Sequence, residues 1–453
     1  MKKILSLEES LSLYQKCLRF ASVSTNPLNK EEVRGCAQWL QELISGWGLE
    51  AQLYETPGHP ILVAKNQHVP GLQTVLLYGH YDVQPAEPLE EWKTPPFEPT
   101  ILGDRMYCRG ATDNKGQFMA HLCGIKKTLD EEGKLPVNLV LLIEGEEEIG
   151  SPNLKPFLEK MKAELKCDLV AISDTGMVAP GMGTLTYGLR GIACLEIKVK
   201  GPTIDLHSGI FGGAVPNSIT ELVRLLACLH DEEGHVQVPG FYDDVEPLKD
   251  WEVQAWSLLP DDTQEMLDLT GVKELKGEAG YSHRAHRWAR PTAELNGIGG
   301  GYQGEGSKTV IAKEAFAKLS FRLVPEQKPD EVSAAVRRFL EERAHPSVRV
   351  EVKLGHTGAA YLSDPFSEYG KAAQAALKLT FAGHEIALIR EGGSIPIVQA
   401  FKEVLDADSL LLGLALPDAQ CHAPNENFPL ENFKKGIELN QFLFKQLANL
   451  KTV

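Results

Sequence analysis

Four apolar runs in this chain end in side chains that bind cations or carry protons. The run 74–78 leads into Gly79-His80-Tyr81-Asp82, and the run 137–143 leads into Glu144-Gly145-Glu146-Glu147-Glu148. The run 168–172 is followed by Ser173-Asp174, and the run 409–412 leads through a short loop to His422. Between the first two lies a glycine-bounded loop, Gly110-Ala111-Thr112-Asp113-Asn114-Lys115-Gly116. The groups on offer are imidazoles and carboxylates, the ligands of borderline and hard divalent metals. Each fragment alone has an ordinary structural reading. A His-x-Asp pair is common in turns, a glutamate run is most often a solvated face, and Asp113, Asp174 and His422 would pass as a turn residue, a helix cap and a packed loop residue. Their joint placement after apolar runs is what points to a metal-dependent chemistry.

Continuous apolar runs of this length suit strands covered on both faces, so they predict a mainly parallel α/β sheet. In such sheets ligands gather beyond the carboxyl ends of the strands, which places all these loops at one edge. Before the first run, Val33, Ala37, Leu40 and Ile44 share one helical face that Gly46 and Gly48 close. The middle of the chain has a different period. Leu195, Ile197 and Val199 alternate with Glu196, Lys198 and Lys200, and similar alternation follows at 317–323 and 348–354. Strands of period 2 belong to a sheet with one wet face. Two helices lie between them. One begins near Ser218, with Ser218 and Glu221 spaced as a capping box, and the other carries Val332, Val336, Phe339 and Leu340. The expected organisation is a large α/β domain formed by residues 1–186 and 358–453, interrupted by a smaller α+β domain at 187–357. Residues 234–280 are polar, contain tryptophans and follow neither period.

A length of 453 residues exceeds one ordinary core and fits two domains. The formal net charge of −16 opposes nucleic acid and anionic membrane as partners. The N-terminal Lys2-Lys3 pair leads into Glu8 and Glu9, so no secretory apolar region develops. The eight cysteines are scattered without a CxxC pair, as in a reduced cytoplasmic protein. Gly299, Gly301 and Gly304 satisfy GxGxxG, but neither a buried strand before them nor an amphipathic helix after them supports a dinucleotide site. Ser394 is no nucleophile elbow, because Pro396 replaces the second glycine.

The segments Gly79-His80-Tyr81-Asp82-Val83-Gln84-Pro85 and 110–116 resemble those of the carnosinase-type dipeptidases. These are part of a di-zinc family that includes aminoacylase, acetylornithine deacetylase, succinyl-diaminopimelate desuccinylase and glutamate carboxypeptidase. EGEEEIGS at 144–151, Asp205-Leu206-His207-Ser208-Gly209, Gly213-Ala214-Val215-Pro216-Asn217, Gly392-Gly393-Ser394-Ile395-Pro396 and His422-Ala423-Pro424-Asn425-Glu426 match as well. The resemblance therefore runs through nearly the whole chain in the expected order.

It implies two divalent ions, Zn2+ first, with Mn2+ or Co2+ admitted by the same ligand types. Asp113 would bridge them, His80 and Asp174 would complete one ion, and Glu148 and His422 the other. Asp82 would accept a hydrogen bond from the second nitrogen of His80. Glu147 would act as general base toward the activated water and return the proton to the leaving amine. The family register selects Glu147 and makes Glu146 the least suited of the three glutamates. The peptide bond after Asp113 would be cis. The inserted domain would be a lid and homodimer interface, with His207 reaching a neighbouring subunit's site. Arg322 would clamp a substrate carboxylate, assisted by Thr309 and Ser394, with His356 a weaker candidate. The expected activity is hydrolysis of the amide bond of dipeptides or short peptides with a free carboxylate. An N-acyl-amino-acid deacylase with the same site is the alternative. A binding protein of this fold without catalysis is disfavoured, because every expected ligand and the base are present.

Overall fold

The computed structural model describes residues 3–450. Its first part builds β1 (Glu50–Tyr54), β2 (Ile61–Lys65), β3 (Thr74–His80), β4 (Asn138–Glu144), β5 (Leu169–Ile172) and β6 (Thr184–Leu189). After the middle of the chain come β11 (Tyr361–Leu362), β12 (Ala387–Glu391) and β13 (Asp408–Gly413), and between them lie β7 (Gly191–Lys200), β8 (Thr292–Gly300), β9 (Glu314–Leu323) and β10 (Arg349–Gly358). The large sheet has the order β1-β2-β4-β3-β5-β13-β6-β11, and β12 also pairs with β6. Its centre, β4-β3-β5-β13, is parallel throughout, and antiparallel strands flank it. The molecule is thus α/β, with a mainly parallel central sheet and helices on both faces.

The unbroken apolar runs follow from burial on both sides. Along β3, Val75 and Leu77 point into one core together with Leu139, Leu141 and Leu169. Leu76 and Tyr78 point into the other with Val140, Leu142 and Val170. The first core is covered by the helices Leu7–Leu18, Lys30–Gly46, Lys115–Glu132, Glu368–Thr380 and Leu430–Ala448. The second is covered by the helices Leu154–Met161 and Pro396–Leu405. Alternate residues of the central strands thus serve separate cores, and neither face of these strands is left for water.

The second sheet, β8-β9-β7-β10, is antiparallel. Residues along β7 alternate between buried and half-buried. Ala193, Leu195, Ile197 and Val199 pack under the helices Ser218–Ala227 and Pro329–Arg343 in a core of their own. The capping box expected at Ser218 is not formed. Asn217 is the cap, accepting the Ile219 and Thr220 N–H groups, while the Ser218 hydroxyl donates to the Lys313 carbonyl. Glu221 instead pairs with Arg224 and accepts the His345 N–H.

The aperiodic stretch supplies two helices, Asp250–Ser257 and Thr263–Thr270, and a third, His283–Ala289, follows just beyond it. Trp256, Ala285 and Ala289 return to the large sheet and pack on Tyr187. Glu252 is fully buried there, accepting from Tyr187 at 2.7 Å and Arg390 at 2.8 Å. All eight cysteines are free. Among the described residues no helix is long and apolar enough to cross a membrane.

Candidate metal centre

The parallel strands β3, β4 and β5 deliver their carboxyl ends to one edge of the sheet, and the groups that follow them meet there. His80, the last residue of β3, is fully buried. Its Nε2 lies 3.2 Å from Asp113 Oδ1 and 3.8 Å from Asp174 Oδ2. On the other side of Asp113, Oδ2 is 2.9 Å from His422 Nε2, which lies 3.3 Å from Glu148 Oε2. Two donor triads result, His80-Asp113-Asp174 and Asp113-Glu148-His422, each within cation-binding reach, and Asp113 is common to both. The Asp113–Asn114 peptide bond is cis. Asn114 then donates to Asp174 Oδ1 at 2.8 Å and to the Ser173 carbonyl at 2.6 Å.

The donor set fits divalent cations on physical grounds internal to the structure. His80 Nε2 and Glu148 Oε1 are buried atoms with no hydrogen-bond partner, one in each triad. Buried polar atoms are rarely left so unless a ligand completes them. The protonation pattern agrees. His422 is pushed up to about 10 by the Asp113 and Glu148 carboxylates. Burial works against a charge on His80, yet Asp113, Asp174 and Asp82 together hold its pKa well above the ordinary value. Burial likewise opposes ionisation of Asp113, but His422 and His80 on either side keep its carboxyl below the usual range. The site demands positive charge at two places, and protons on imidazoles meet that demand when nothing else does.

Around the triads each nearby acid has a distinct environment. The Asp82 carboxylate accepts the Glu147 N–H at 3.2 Å and the Glu148 N–H at 3.1 Å, which fixes the glutamate turn. His80 Nδ1 stands 3.1 Å from the Asp82 backbone carbonyl and 3.4 Å from its carboxylate, so the expected contact is shared between the two oxygens. Glu146 is occupied, accepting from the His59 N–H and the Asn153 amide. Glu148 takes a hydrogen bond from Gln84 at 2.8 Å. Glu147 alone of the three has a carboxylate without a hydrogen bond or ion pair among the described residues. Burial raises its pKa well above the normal carboxylate range; His80 opposes the shift, and Asp174, Asp113 and Glu148 reinforce it.

The remaining sequence candidates lie apart from this cluster. Arg322, on β9, donates to Ser394 Oγ at 3.1 Å, and Ser394 donates to the Arg190 carbonyl at 2.5 Å. His207 is exposed and accepts the Gly209 N–H, and Thr309 lies beside it, its carbonyl accepting the Ser208 N–H. His356 is exposed and 3.5 Å from Cys194 Sγ. Among the described residues no hydrogen bond or ion pair joins any of these to the triads.

One residue has a role that spacing did not reveal. Glu426 is fully buried and accepts the N–H groups of Gly110, Thr112 and Asp113 at 2.8–2.9 Å, and its second partner class is the Arg109 guanidinium at 2.7 Å. It thereby fixes the loop that carries Asp113 to the loop that carries His422. The only signal in the sequence is its place four residues after His422.

A sheet edge that gathers such triads defines a site for divalent cations with an adjacent free carboxylate, the equipment of a metal-dependent hydrolase. The chain belongs to the peptidase family M20/M25/M40, whose model matches residues 76–446. It is a metallopeptidase, a hydrolase of peptide bonds. It is 34% identical over 403 residues to a Cys-Gly metallodipeptidase of Schizosaccharomyces pombe, covering 87% of this chain and 84% of that one. It is 34% identical over 402 residues to the Beta-Ala-His dipeptidase of Homo sapiens, covering 87% and 78%. The crystal structure of human carnosine dipeptidase 1 matches with a TM-score of 0.83 at 30% identity over 98% of this chain and 97% of that one. A metallo-carboxypeptidase of the same family from Sulfolobus solfataricus matches with a TM-score of 0.87 at 33% identity over 98% and 100%.

Proposed function

We propose that the chain is a two-metal dipeptidase that cleaves the amide bond of dipeptides or short peptides with a free carboxylate. The observation that carries this reading is the sharing of Asp113, one oxygen toward His80 and the other toward His422. His80, Asp113 and Asp174 would hold one ion, and Asp113, Glu148 and His422 the other. Zinc suits these ligands, as do manganese and cobalt. Ions held there supply Lewis acidity to a carbonyl oxygen and lower the pKa of water.

The protein's own groups do the rest. Glu147 is the base: its carboxylate is uncommitted, and burial raises its pKa above the ordinary carboxylate range, which strengthens it as a proton acceptor. It takes the proton from water and gives it to the leaving amine. Asp82 acts by position, holding the N–H groups of residues 147 and 148 so that neighbouring glutamates face different tasks. Arg322, with Ser394 and Thr309, receives the substrate carboxylate, a task suited to a guanidinium fork.

The part of the chain at 187–357 acts as lid and dimerisation unit. Its sheet ends on the edge strand β8, which exposes Leu295 and Ile298, an edge suited to a second copy. His207, exposed and remote from the triads of its own chain, serves the site of the neighbouring subunit and donates to the developing oxyanion.

Metal content measured together with hydrolysis of a panel of dipeptides and N-acetyl or N-succinyl amino acids tests the reading. Two ions per chain and preference for dipeptides are expected. Preference for the acylated compounds would make it a deacylase, and bound metal without turnover of any of them would make it a binding protein.

A further inference from the structure

Beside Arg322 opens a cleft of about 600 Å³, lined in part by Arg190, Lys276, Arg287, Arg290, Glu294 and Arg322. Its size falls within the range of small-ligand pockets and leaves room for one end of a peptide substrate. Its arginines are not equally committed. Arg287 pairs with Asp262, and Arg290 with Glu278. Arg190 and Arg322 have no carboxylate partner among the described residues. Arg190 donates from Nε to the Gly392 carbonyl at 3.2 Å and from Nη1 to the carbonyls of His286 at 3.2 Å and Arg290 at 3.3 Å. Its Nη2 has no hydrogen-bond or ion-pair partner among the described residues. Burial, and then the charge of Arg322 beside it, lower the pKa of Arg190 to about 10, while Glu294 at the rim acts the other way.

Neighbouring guanidiniums, one of them largely desolvated and neither with a counter-ion among the described residues, form an arrangement that an anionic ligand completes. It stands out in a protein whose net charge is −16. A single α-carboxylate on Arg322 leaves Arg190 Nη2 unanswered. Glu294 is exposed and makes no hydrogen bond or ion pair to either arginine, so it does not fill the place.

We infer that this cleft recognises the side chain of the substrate's C-terminal residue and selects an acidic one. Arg322 takes the α-carboxylate and Arg190 Nη2 the side-chain carboxylate of an Xaa-Glu or Xaa-Asp dipeptide. The inference rests on the dipeptidase reading above, in particular on Arg322 as the carboxylate clamp. A different role for Arg190 is imaginable, as a tether between the 283–289 helix and the 392–394 loop, and selectivity distinguishes the two.

The experiment is kcat/KM of the metal-loaded protein for Ala-Glu against Ala-Gln and for Ala-Asp against Ala-Asn. The acidic member of each pair is expected to be favoured by roughly tenfold or more, the worth of one charge-assisted contact. R190Q should bring the ratios to within about twofold, and R190K should retain an intermediate preference because it keeps the charge and loses the fork. E294Q, at an exposed position, should widen the ratios by removing a competing negative charge; it decides together with the wild-type ratios if R190Q does not fold. Wild-type ratios near one overturn the inference. So do ratios unchanged in R190Q despite lower overall activity, the result of a mere tether. If neutral dipeptides are cleaved without acidic preference, the inference alone falls. If no dipeptide is cleaved, the dipeptidase reading falls with it.

Discussion

Three consecutive glutamates follow β4, and their partners separate them. Glu146 is held by His59 and Asn153, Glu148 faces His422, and the Glu147 carboxylate is uncommitted. Glu147→Gln should therefore keep the metal content and lower kcat by roughly 10²–10⁴, the usual worth of a general base; turnover within a factor of a few of wild type would remove Glu147 from the proton transfer. The imidazoles give a second residue-scale prediction. In the metal-free protein His422 has its pKa raised to about 10 and His80 is also raised, so both carry protons at pH 7. A cation needs their lone pairs, so binding at pH 7 should release protons, and affinity should climb with pH until the imidazoles are neutral. Calorimetric titration in buffers of different ionisation heat reads this directly, and a heat independent of the buffer would contradict it. Arg322→Ala should chiefly raise KM for substrates with a free carboxylate. Equal damage toward C-terminally amidated peptides would show that Arg322 holds no carboxylate.

Between elements, the decisive link is Glu426. It joins the 110–113 loop to the loop bearing His422, and its loss would leave Arg109 buried without a counter-ion. Glu426→Ala should cost the metal-free protein about 3–5 kcal/mol in chemical denaturation, as expected when one partner of a buried ion pair is removed. It should weaken metal binding as well; unchanged stability would mean that the loop holds itself. This link also marks what can be read from sequence. His80, the 144–148 glutamate segment and Asp174 were legible as candidates because each lies at or just after the end of a run buried on both faces, and the parallel pairing of β3, β4 and β5 brings those ends together. The choice of Glu147 and Glu148 among the glutamates came from the family resemblance. Glu426 was not legible, because its role consists of backbone hydrogen bonds to residues more than 300 positions earlier, which leave no period or composition behind. The helices at 250–289 escaped for a related reason: Trp256 and Glu252 serve a local contact with Tyr187 and Arg390, not a repeating face. At residues 217–218 two adjacent cap-forming side chains competed, and the flanking backbone gave the place to Asn217.

At the scale of the molecule, the proposed site spans two subunits, with Glu147 from one and His207 from the other. Glu147→Gln and His207→Ala should each be nearly inactive alone. Mixed, unfolded and refolded together, they should recover about a quarter of wild-type activity, because random pairing makes half the dimers mixed and each has one intact site. No recovery from two inactive parents would place His207 in the site of its own chain, and an active His207→Ala would place it outside catalysis. The central claim is that a single aspartate is shared by a pair of cations. Anomalous diffraction from crystals grown with saturating Zn2+ tests it most directly. Two strong peaks are predicted, one beside His80 and Asp174 and one beside Glu148 and His422, both against Asp113, with both weakened in Asp113→Ala. A single peak, or none near Asp113, would contradict the account.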